Sequence, residues 1–310
     1  MKINIIKPLF FSLFLVFLVA CSTKKDTFLA RNSHALSTKY NILYNGGIGF
    51  DKGLKAIQVN NEDDFWELLP PEKMQIKDQI STSNKSSNAD FELAEAKATK
   101  AIQKHSMNIG GREKNSQIDE AYLMLGKARY HDQRFVPALD AFNYVLYKYP
   151  NSSKIYEAKI WREKTNMRLG NDALVIKNIS KLLEDQKLKH QVFADANALL
   201  AASFLNLEEK DNEVTKIKLA IEFTKVNQEK ARYRFILGQL YQELGYKDSA
   251  DVAYQSVIDM NRKADRRFVI QAHAKKAELF DSQNGDFVAF ENTFGKLIKA
   301  RENRPSKALF

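Results

Sequence analysis

Residues 237–254 read Leu-Gly-Gln-Leu-Tyr-Gln-Glu-Leu-Gly-Tyr-Lys-Asp-Ser-Ala-Asp-Val-Ala-Tyr, and this stretch decides the fold. Its landmarks are Leu237, Gly238 and Tyr241, followed by Ala250 and Tyr254. Glycine and alanine let two helices approach closely, while leucine and tyrosine fill the layer between them. The spacing therefore predicts two packed helices joined by a short break.

The same landmarks occur earlier in the chain. They are Tyr122, Leu125 and Gly126 on a first helix and Ala138 and Phe142 on a second, which Pro150 ends. Leu125 and Leu237 are 112 residues apart, and so are Ala138 and Ala250. Three units of about 37 residues fill this interval. Two weaker helix pairs are expected between the clear ones, with Glu163 standing where the next glycine would fall.

The fold class expected from this pattern is all-α. Helix-forming residues dominate residues 90–304, and the chain has only 6 prolines and 12 glycines. About five helix pairs are expected there, each covering the apolar face of its neighbour, as in a solenoid. The spacing resembles the tetratricopeptide repeat. An unrelated α-solenoid and an irregular helical bundle are the alternatives.

The N-terminus has the composition of a lipoprotein signal peptide. Lys2 and Lys7 precede an apolar run, which is too short to span a bilayer. The run closes with Leu18, Val19, Ala20 and Cys21, the residues that a lipoprotein signal peptidase recognises and the cysteine that receives a diacylglyceryl lipid. We expect residues 1–20 to be removed. Plain secretion is the alternative.

Four further parts complete the predicted organisation. Residues 21–80 form a membrane-proximal segment, in which Gly46, Gly47 and Gly49 indicate a helix end and turn. Residues 81–89 contain serine and asparagine, so a flexible linker is expected. Residues 90–304 form the repeat domain. A short tail, residues 305–310, follows it.

Phe65 and Trp66 are the candidates for partner docking. They lie beside acids and before Pro70 and Pro71, outside the repeats. Aromatic side chains often dominate protein interfaces. The competing interpretation is that both rings fold back onto the repeats.

The sequence contains no catalytic constellation, and we expect no enzyme activity. The five histidines have no metal-ligand spacing, so neither a metal nor another cofactor is expected beyond the lipid on Cys21. The net charge of +10 is spread along the chain, and export argues against a nucleic-acid partner. Nothing indicates a small-molecule substrate. Protein partners are the expected ligands.

Several segments of the N-terminal half are more distinctive than the repeat spacing alone. They are Asn41-Ile-Leu-Tyr-Asn-Gly46, Asp64-Phe-Trp-Glu-Leu-Leu-Pro70, Lys100-Ala-Ile-Gln-Lys-His-Ser-Met107, Ile118-Asp-Glu-Ala-Tyr-Leu-Met-Leu-Gly-Lys-Ala-Arg-Tyr130 and Gln133-Arg-Phe-Val-Pro-Ala-Leu-Asp-Ala-Phe-Asn-Tyr-Val-Leu-Tyr-Lys-Tyr-Pro-Asn-Ser152. Together they resemble the PorW/SprE family, tetratricopeptide lipoproteins of the type IX secretion system and gliding motility in Bacteroidota. The likeness runs from Cys21 to about Pro305.

The resemblance implies a scaffold without catalytic residues. It would link periplasmic ring and motor components to the outer-membrane translocon. Ser22, rather than an aspartate, follows Cys21, which by analogy with sorting rules in other bacteria favours the outer membrane. Residues 22–26 lack the acidic run that directs lipoproteins to the cell surface, so the periplasmic face is expected. Family members are longer, so the chain is expected to correspond to their N-terminal portion. A repeat lipoprotein of another envelope process, such as outer-membrane protein assembly or peptidoglycan maintenance, is the alternative.

Overall fold

In the computed structural model, residues 22–74, 86–281, 283, 285–300 and 303 are described. Leu18 to Cys21, most of the predicted linker and the residues 305–310 lie outside them. The chain divides into two compact units. The described residues up to Asn61, together with those of Met74–Gly170, form the first unit. Glu62–Lys73 and the described residues from Asn171 onward form the second.

The first unit is a series of helices, each packed on the next. They are α1 (Phe28–Ser37), a π-helical segment (Thr38–Leu43), α2 (Tyr44–Asn60), α3 (Ala89–His105), α4 (Ile118–His131), α5 (Phe135–Lys148) and α6 (Ile155–Arg168). A small antiparallel hairpin, β1 (Asn108–Ile109) and β2 (Arg112–Glu113), separates α3 from α4. The core between α4, α5 and α6 holds Tyr130, Phe135 and Phe142.

The second unit continues the same architecture. Its helices are α7 (Asp172–Leu183), α8 (His190–Asn206), α9 (Lys210–Phe223), α10 (Asn227–Glu243), α11 (Lys247–Ile258), α12 (Arg266–Glu278) and α13 (Phe287–Lys299). Consecutive helices pack from α7 to α12, and α10 also touches α12. The predicted all-α, tetratricopeptide-like class is confirmed. No helix of the described ranges is both long and apolar enough to cross a bilayer.

The repeat period is visible in the backbone. Gln133, Gly170, Glu208 and Gly245 all have a positive φ, between 61° and 81°. They lie 37, 38 and 37 residues apart, in the short breaks that follow α4, α6, α8 and α10. A left-handed residue ends each of these helices tightly. The period of about 37 residues is therefore confirmed.

The two clear landmark pairs meet as their spacing predicts. A Cβ added to Gly126 would lie 2.4 Å from the ring of Phe142, and one added to Gly238 would lie 2.5 Å from the ring of Tyr254. Ala138 and Ala250 are fully buried. Leu125 is buried, Tyr122, Leu237 and Tyr241 are partly buried against the same cores, and Pro150 follows the end of α5.

The glycine cluster of residues 46–49 is not a helix end, and that prediction is wrong. α2 runs through it, and Gly46, Gly49 and Gly53 share the helix face that packs on α3. Added Cβ atoms would lie 3.0 Å from the Asp90 carbonyl oxygen at Gly49 and 2.6 Å from the Phe91 ring at Gly53. Glycine is used here for close helix approach rather than for a turn.

The described part of the predicted linker is also fixed rather than flexible. Asn88 accepts hydrogen bonds from the backbone N–H groups of Asp90 and Phe91, at 2.9 and 3.3 Å, and caps α3. The Ser87 N–H and hydroxyl donate to the Asp132 carboxylate at 3.1 and 2.9 Å. Small polar residues serve here as a cap and an anchor, so composition alone was misleading.

Two glycines of α2 provide a matched test of this packing. We expect Gly53→Ala to lower the free energy of unfolding by about 1–3 kcal/mol, because its methyl group would overlap the Phe91 ring. Gly47 has no neighbouring atom within 4 Å of an added Cβ. Gly47→Ala should raise stability by about 0.5–1 kcal/mol through helix propensity. Urea unfolding of both variants measures this, and equal effects would contradict the packing argument.

Candidate peptide-binding surface

The segment Glu62–Lys73 is a stretch without regular secondary structure held against the second unit. Its chain neighbours on both sides, Asn61 and Met74, belong to the first unit. Pro70 and Pro71 lack backbone donors, which excludes a helix through this stretch. Its contacts are with α10 and α12, which lie far away in the sequence. We call this segment the docked segment.

One side chain of α10 binds the backbone of the docked segment at three points. The Gln239 side-chain amide donates to the carbonyl oxygens of Phe65 and Glu67, at 3.2 and 2.6 Å. Its oxygen accepts the N–H of Leu69 at 3.1 Å. Gln239 is buried, so these bonds are shielded from water. Phe65 and Trp66 lie in a turn here, and Gln239 binds backbone groups rather than side chains, so this contact does not depend on the identity of the side chains.

A second side chain of α10 fixes both ends of the docked segment. The Arg232 guanidinium pairs with both carboxylate oxygens of Asp63, each at 2.9 Å, and its Nε donates to the Pro70 carbonyl oxygen at 2.8 Å. Arg232 and Gln239 are seven residues apart, two helical turns, so they share one face. Bidentate arginine–carboxylate pairs are among the stronger and more specific polar contacts.

An aromatic pocket holds Phe65. Its ring lies edge-on to Phe235 of α10 and Phe268 of α12, with centroids 5.3 and 5.1 Å away. Phe65 is only 8% exposed, and Leu69 is buried in the same core. The prediction that Phe65 is free to dock a partner is therefore wrong. It folds back onto the repeats, because the pocket removes its ring from water.

Trp66 takes the opposite orientation. It is 59% exposed, and the Lys275 ammonium of α12 lies 4.5 Å from its ring centroid. A hollow of about 130 Å³ opens beside it, lined by Trp66, Leu68, Gln239, Gln242, Glu243 and Lys275. Trp66 therefore stays a candidate for partner docking, on a surface that already holds the docked segment.

The two neighbouring aromatic residues give a matched test. We expect Phe65→Ala to lower the free energy of unfolding by about 3 kcal/mol, because it empties a buried aromatic pocket. Trp66→Ala should change stability by less than about 1 kcal/mol, since most of its ring is exposed. Thermal unfolding followed by circular dichroism measures both. A larger loss for Trp66→Ala than for Phe65→Ala would contradict the burial.

Sequence reasoning missed Arg232 and Gln239. Both are long polar residues at buried positions of a helix that otherwise buries apolar residues, including Phe235 and Ile236. That exception to the apolar pattern was the available signal. The partner residues, Asp63 and the backbone of residues 65–70, lie more than 160 positions away, and no local pattern links them.

The histidines form no metal site in the described part of the chain, where no cluster of three or more histidine, cysteine or acidic residues could hold an ion. His34 and His105 are paired instead, with 3.0 Å between their Nδ1 atoms. Burial lowers the pKa of His105, and the neighbouring His34 acts in the same direction. The pair joins α1 to the end of α3.

Comparison with known proteins found a family match and a similar solved structure. Residues 120–152, which cover most of α4 and all of α5, match the tetratricopeptide repeat family. No curated protein matches the chain. Among solved structures, the chain is similar to the crystal structure of MamA protein, with 20% sequence identity and a TM-score of 0.44. That similarity covers 63% of this chain and 96% of the MamA chain.

Proposed function

We propose that this chain is a scaffold of the type IX secretion system, anchored by lipid on Cys21 to the periplasmic face of the outer membrane. It would bind ring or motor components and the translocon, and so serve protein export and gliding motility. It carries out no reaction of its own and needs no cofactor beyond the lipid. The helical repeats support a role in binding protein partners, since stacked repeats form extended binding surfaces.

The observation that carries the proposal is the surface of α10 and α12. It already holds the docked segment, which has no regular secondary structure, through Gln239, Arg232 and an aromatic pocket. Backbone hydrogen bonds combined with one charged and one aromatic contact are a common way of recognising a peptide. A repeat surface with these groups fits a protein that brings other proteins together.

The secretion role is supported by the distinctive segments of the N-terminal half. Among them, Asp64–Pro70 forms most of the docked segment, and Gln133–Ser152 includes α5. The anchor is supported by the order of a basic start, an apolar run and Leu18-Val19-Ala20-Cys21.

The anchor is tested by metabolic labelling with a palmitate analogue. The wild-type chain should incorporate the label and fractionate with the outer membrane, and Cys21→Ser should do neither. Ser22→Ala is the matched control and should be labelled normally. Labelling of the Cys21→Ser chain would refute lipid attachment at this residue.

The partners are tested by affinity purification of the tagged full chain after crosslinking in intact cells. Recovery of ring and translocon proteins of the secretion system is expected. Recovery of only outer-membrane assembly or cell-wall proteins would refute the secretion role and indicate the other envelope processes. Lipid labelling and partner recovery are independent results, so either part of the proposal can fail alone.

A further inference from the structure

The first helical stretch of the described residues, Phe28–Asn60, has two unlike faces. It runs without a break through α1, the π-helical segment and α2. One face is buried: Ile42 and Leu43 pack in a core with Ala101 of α3 and Ala121 of α4, and the α2 glycines lie against α3. The stretch is thereby fixed to the first unit along its length.

The other face carries large apolar side chains that are exposed. They are Phe28 (71% exposed), Leu29 (66%), Leu36 (56%), Tyr40 (64%), Tyr44 (64%) and Ile48 (41%). From Leu36 to Ile48 they recur every four residues, the spacing that keeps side chains on one side of a helix. We call these six side chains the outer face. Such a concentration of exposed apolar groups marks a contact surface.

From Thr27 to Phe50 the charged side chains have one sign. Between Asp26 and Asp51 the sequence contains no carboxylate, while Arg31 and Lys39 are present and Lys24 and Lys25 precede them. Asp26 itself is paired with Lys114 at 2.8 Å and with Arg31 at 3.5 Å, which leaves Lys24, Lys25 and Lys39 as the remaining cations here. Lysine and arginine beside exposed tyrosine and leucine are typical of a helix that lies in the interface of an anionic bilayer.

We propose that the outer face lies on the anionic phospholipid surface of the membrane to which Cys21 is attached. The inference rests on the proposed lipid anchor. Phe28 is seven residues from Cys21, so even a fully extended connection spans only about 25 Å. The lipid therefore brings this face, rather than a distant one, to the bilayer. Tyrosine suits that boundary because it has an apolar ring and a polar hydroxyl.

The test uses the chain from Ser22 onward, which keeps every described residue and lacks the lipid. It is mixed with vesicles of phosphatidylethanolamine and phosphatidylglycerol, and bound protein is measured by flotation. We expect binding to these vesicles and much weaker binding to vesicles of phosphatidylcholine. Tyr40→Ser with Tyr44→Ser should weaken binding about tenfold. Tyr147→Ser with Val252→Ser replaces two residues elsewhere that are at least as exposed, and should leave the binding unchanged.

A second measurement does not depend on how the serine variants fold. Cys21 is the only cysteine of the chain, so Tyr40→Cys in the chain from Ser22 onward accepts a single environment-sensitive fluorophore. The emission of this fluorophore should shift to the blue when anionic vesicles are added. The emission of the same fluorophore attached to Val252→Cys should stay unchanged.

Three results would overturn the inference. The first is no vesicle binding by the unsubstituted chain, and the second is equal vesicle binding by the double tyrosine variant. The third is that the tyrosine substitutions abolish binding of a protein partner while no vesicle binding is found. The chain from Ser22 onward carries no lipid, so such a result would not bear on lipid attachment at Cys21. It would also not bear on the partners of the proposed function, which are tested separately by affinity purification.

Discussion

Glu213→Ala is expected to raise the free energy of unfolding by about 3–5 kcal/mol at about pH 9, and by much less at about pH 5. Glu213 lies on α9, is fully buried, and neither of its carboxylate oxygens has a hydrogen-bond partner. Ala138, Val175 and Ala250 occupy the corresponding repeat positions, 37 or 38 residues apart, and are equally buried. A small apolar residue therefore suits this position.

The pH dependence follows from the protonation of this carboxyl group. Burial raises the pKa of Glu213 from 4.5 to about 8, the nearby charge of Glu243 adds to the rise, and Lys210 opposes it. The folded chain thus binds a proton that the unfolded chain releases above about pH 4.5. The contribution of Glu213 to stability should fall as the pH rises from about 4.5 to 8 and level off above that. Burial lowers the pKa of His273 to about 4, which acts in the opposite direction below about pH 6.5, so the effect of Glu213 is read from the difference between the wild type and the variant.

Urea unfolding across this pH range measures the effect. Glu213→Gln should remove the same pH dependence while keeping the size of the side chain. Glu222→Ala, an exposed glutamate of the same helix, is the control and should keep the wild-type pH profile. A Glu213→Ala profile parallel to that of the wild type would show that the carboxyl group is not a source of the pH dependence.

Arg232→Ala is expected to lower the free energy of unfolding by about 3 kcal/mol and to release the docked segment. The substitution leaves the Asp63 carboxylate and the Pro70 carbonyl oxygen without their arginine partner in a largely buried setting. Asp63 also has Lys73 at 3.9 Å, which supplies only a weak replacement. The loss of stability should come mainly from leaving the largely buried Asp63 carboxylate without its arginine partner.

A double-mutant cycle distinguishes the interaction energy between Arg232 and Asp63 from the packing that each substitution also removes. Arg232→Leu and Asp63→Leu should each destabilise the protein, and the double variant should recover much of the loss, because no charge is left unpaired. Gln228→Ala, exposed near the start of α10, should have little effect. Additive losses in the double variant would contradict a coupled pair.

The repeat fold could be predicted because its determinants are local and periodic. Gly126 packs on the ring of Phe142 and Gly238 on the ring of Tyr254, each 16 residues further along the chain. Ala138 and Ala250, one helical turn before these rings, are buried in the same two helix pairs. The α2 glycines were misjudged because glycine has two uses, in turns and in close helix packing. Only the position of α3, which begins at Ala89, decides between them.

The docked segment could be predicted only in part. The sequence indicated that Phe65 and Trp66 matter, and left open whether they meet a partner or the repeats. The structure divides them: Phe65 is buried against α10 and α12, and Trp66 is exposed. Contacts such as Gln239 with the backbone of residues 65–69 join distant parts of the chain. No periodicity encodes them.

The central claim is that α10 and α12 form a peptide-binding surface, and the most direct measurement is fluorescence anisotropy with a labelled peptide of residues 61–74. The full chain carrying Asp63→Ala and Phe65→Ala, checked for folding by circular dichroism, should bind it. The wild type should bind at least about tenfold more weakly, because its own segment competes at high effective concentration. Adding Gln239→Leu to the first chain should abolish binding. Absence of binding to the first chain, or binding that survives Gln239→Leu, would contradict the account.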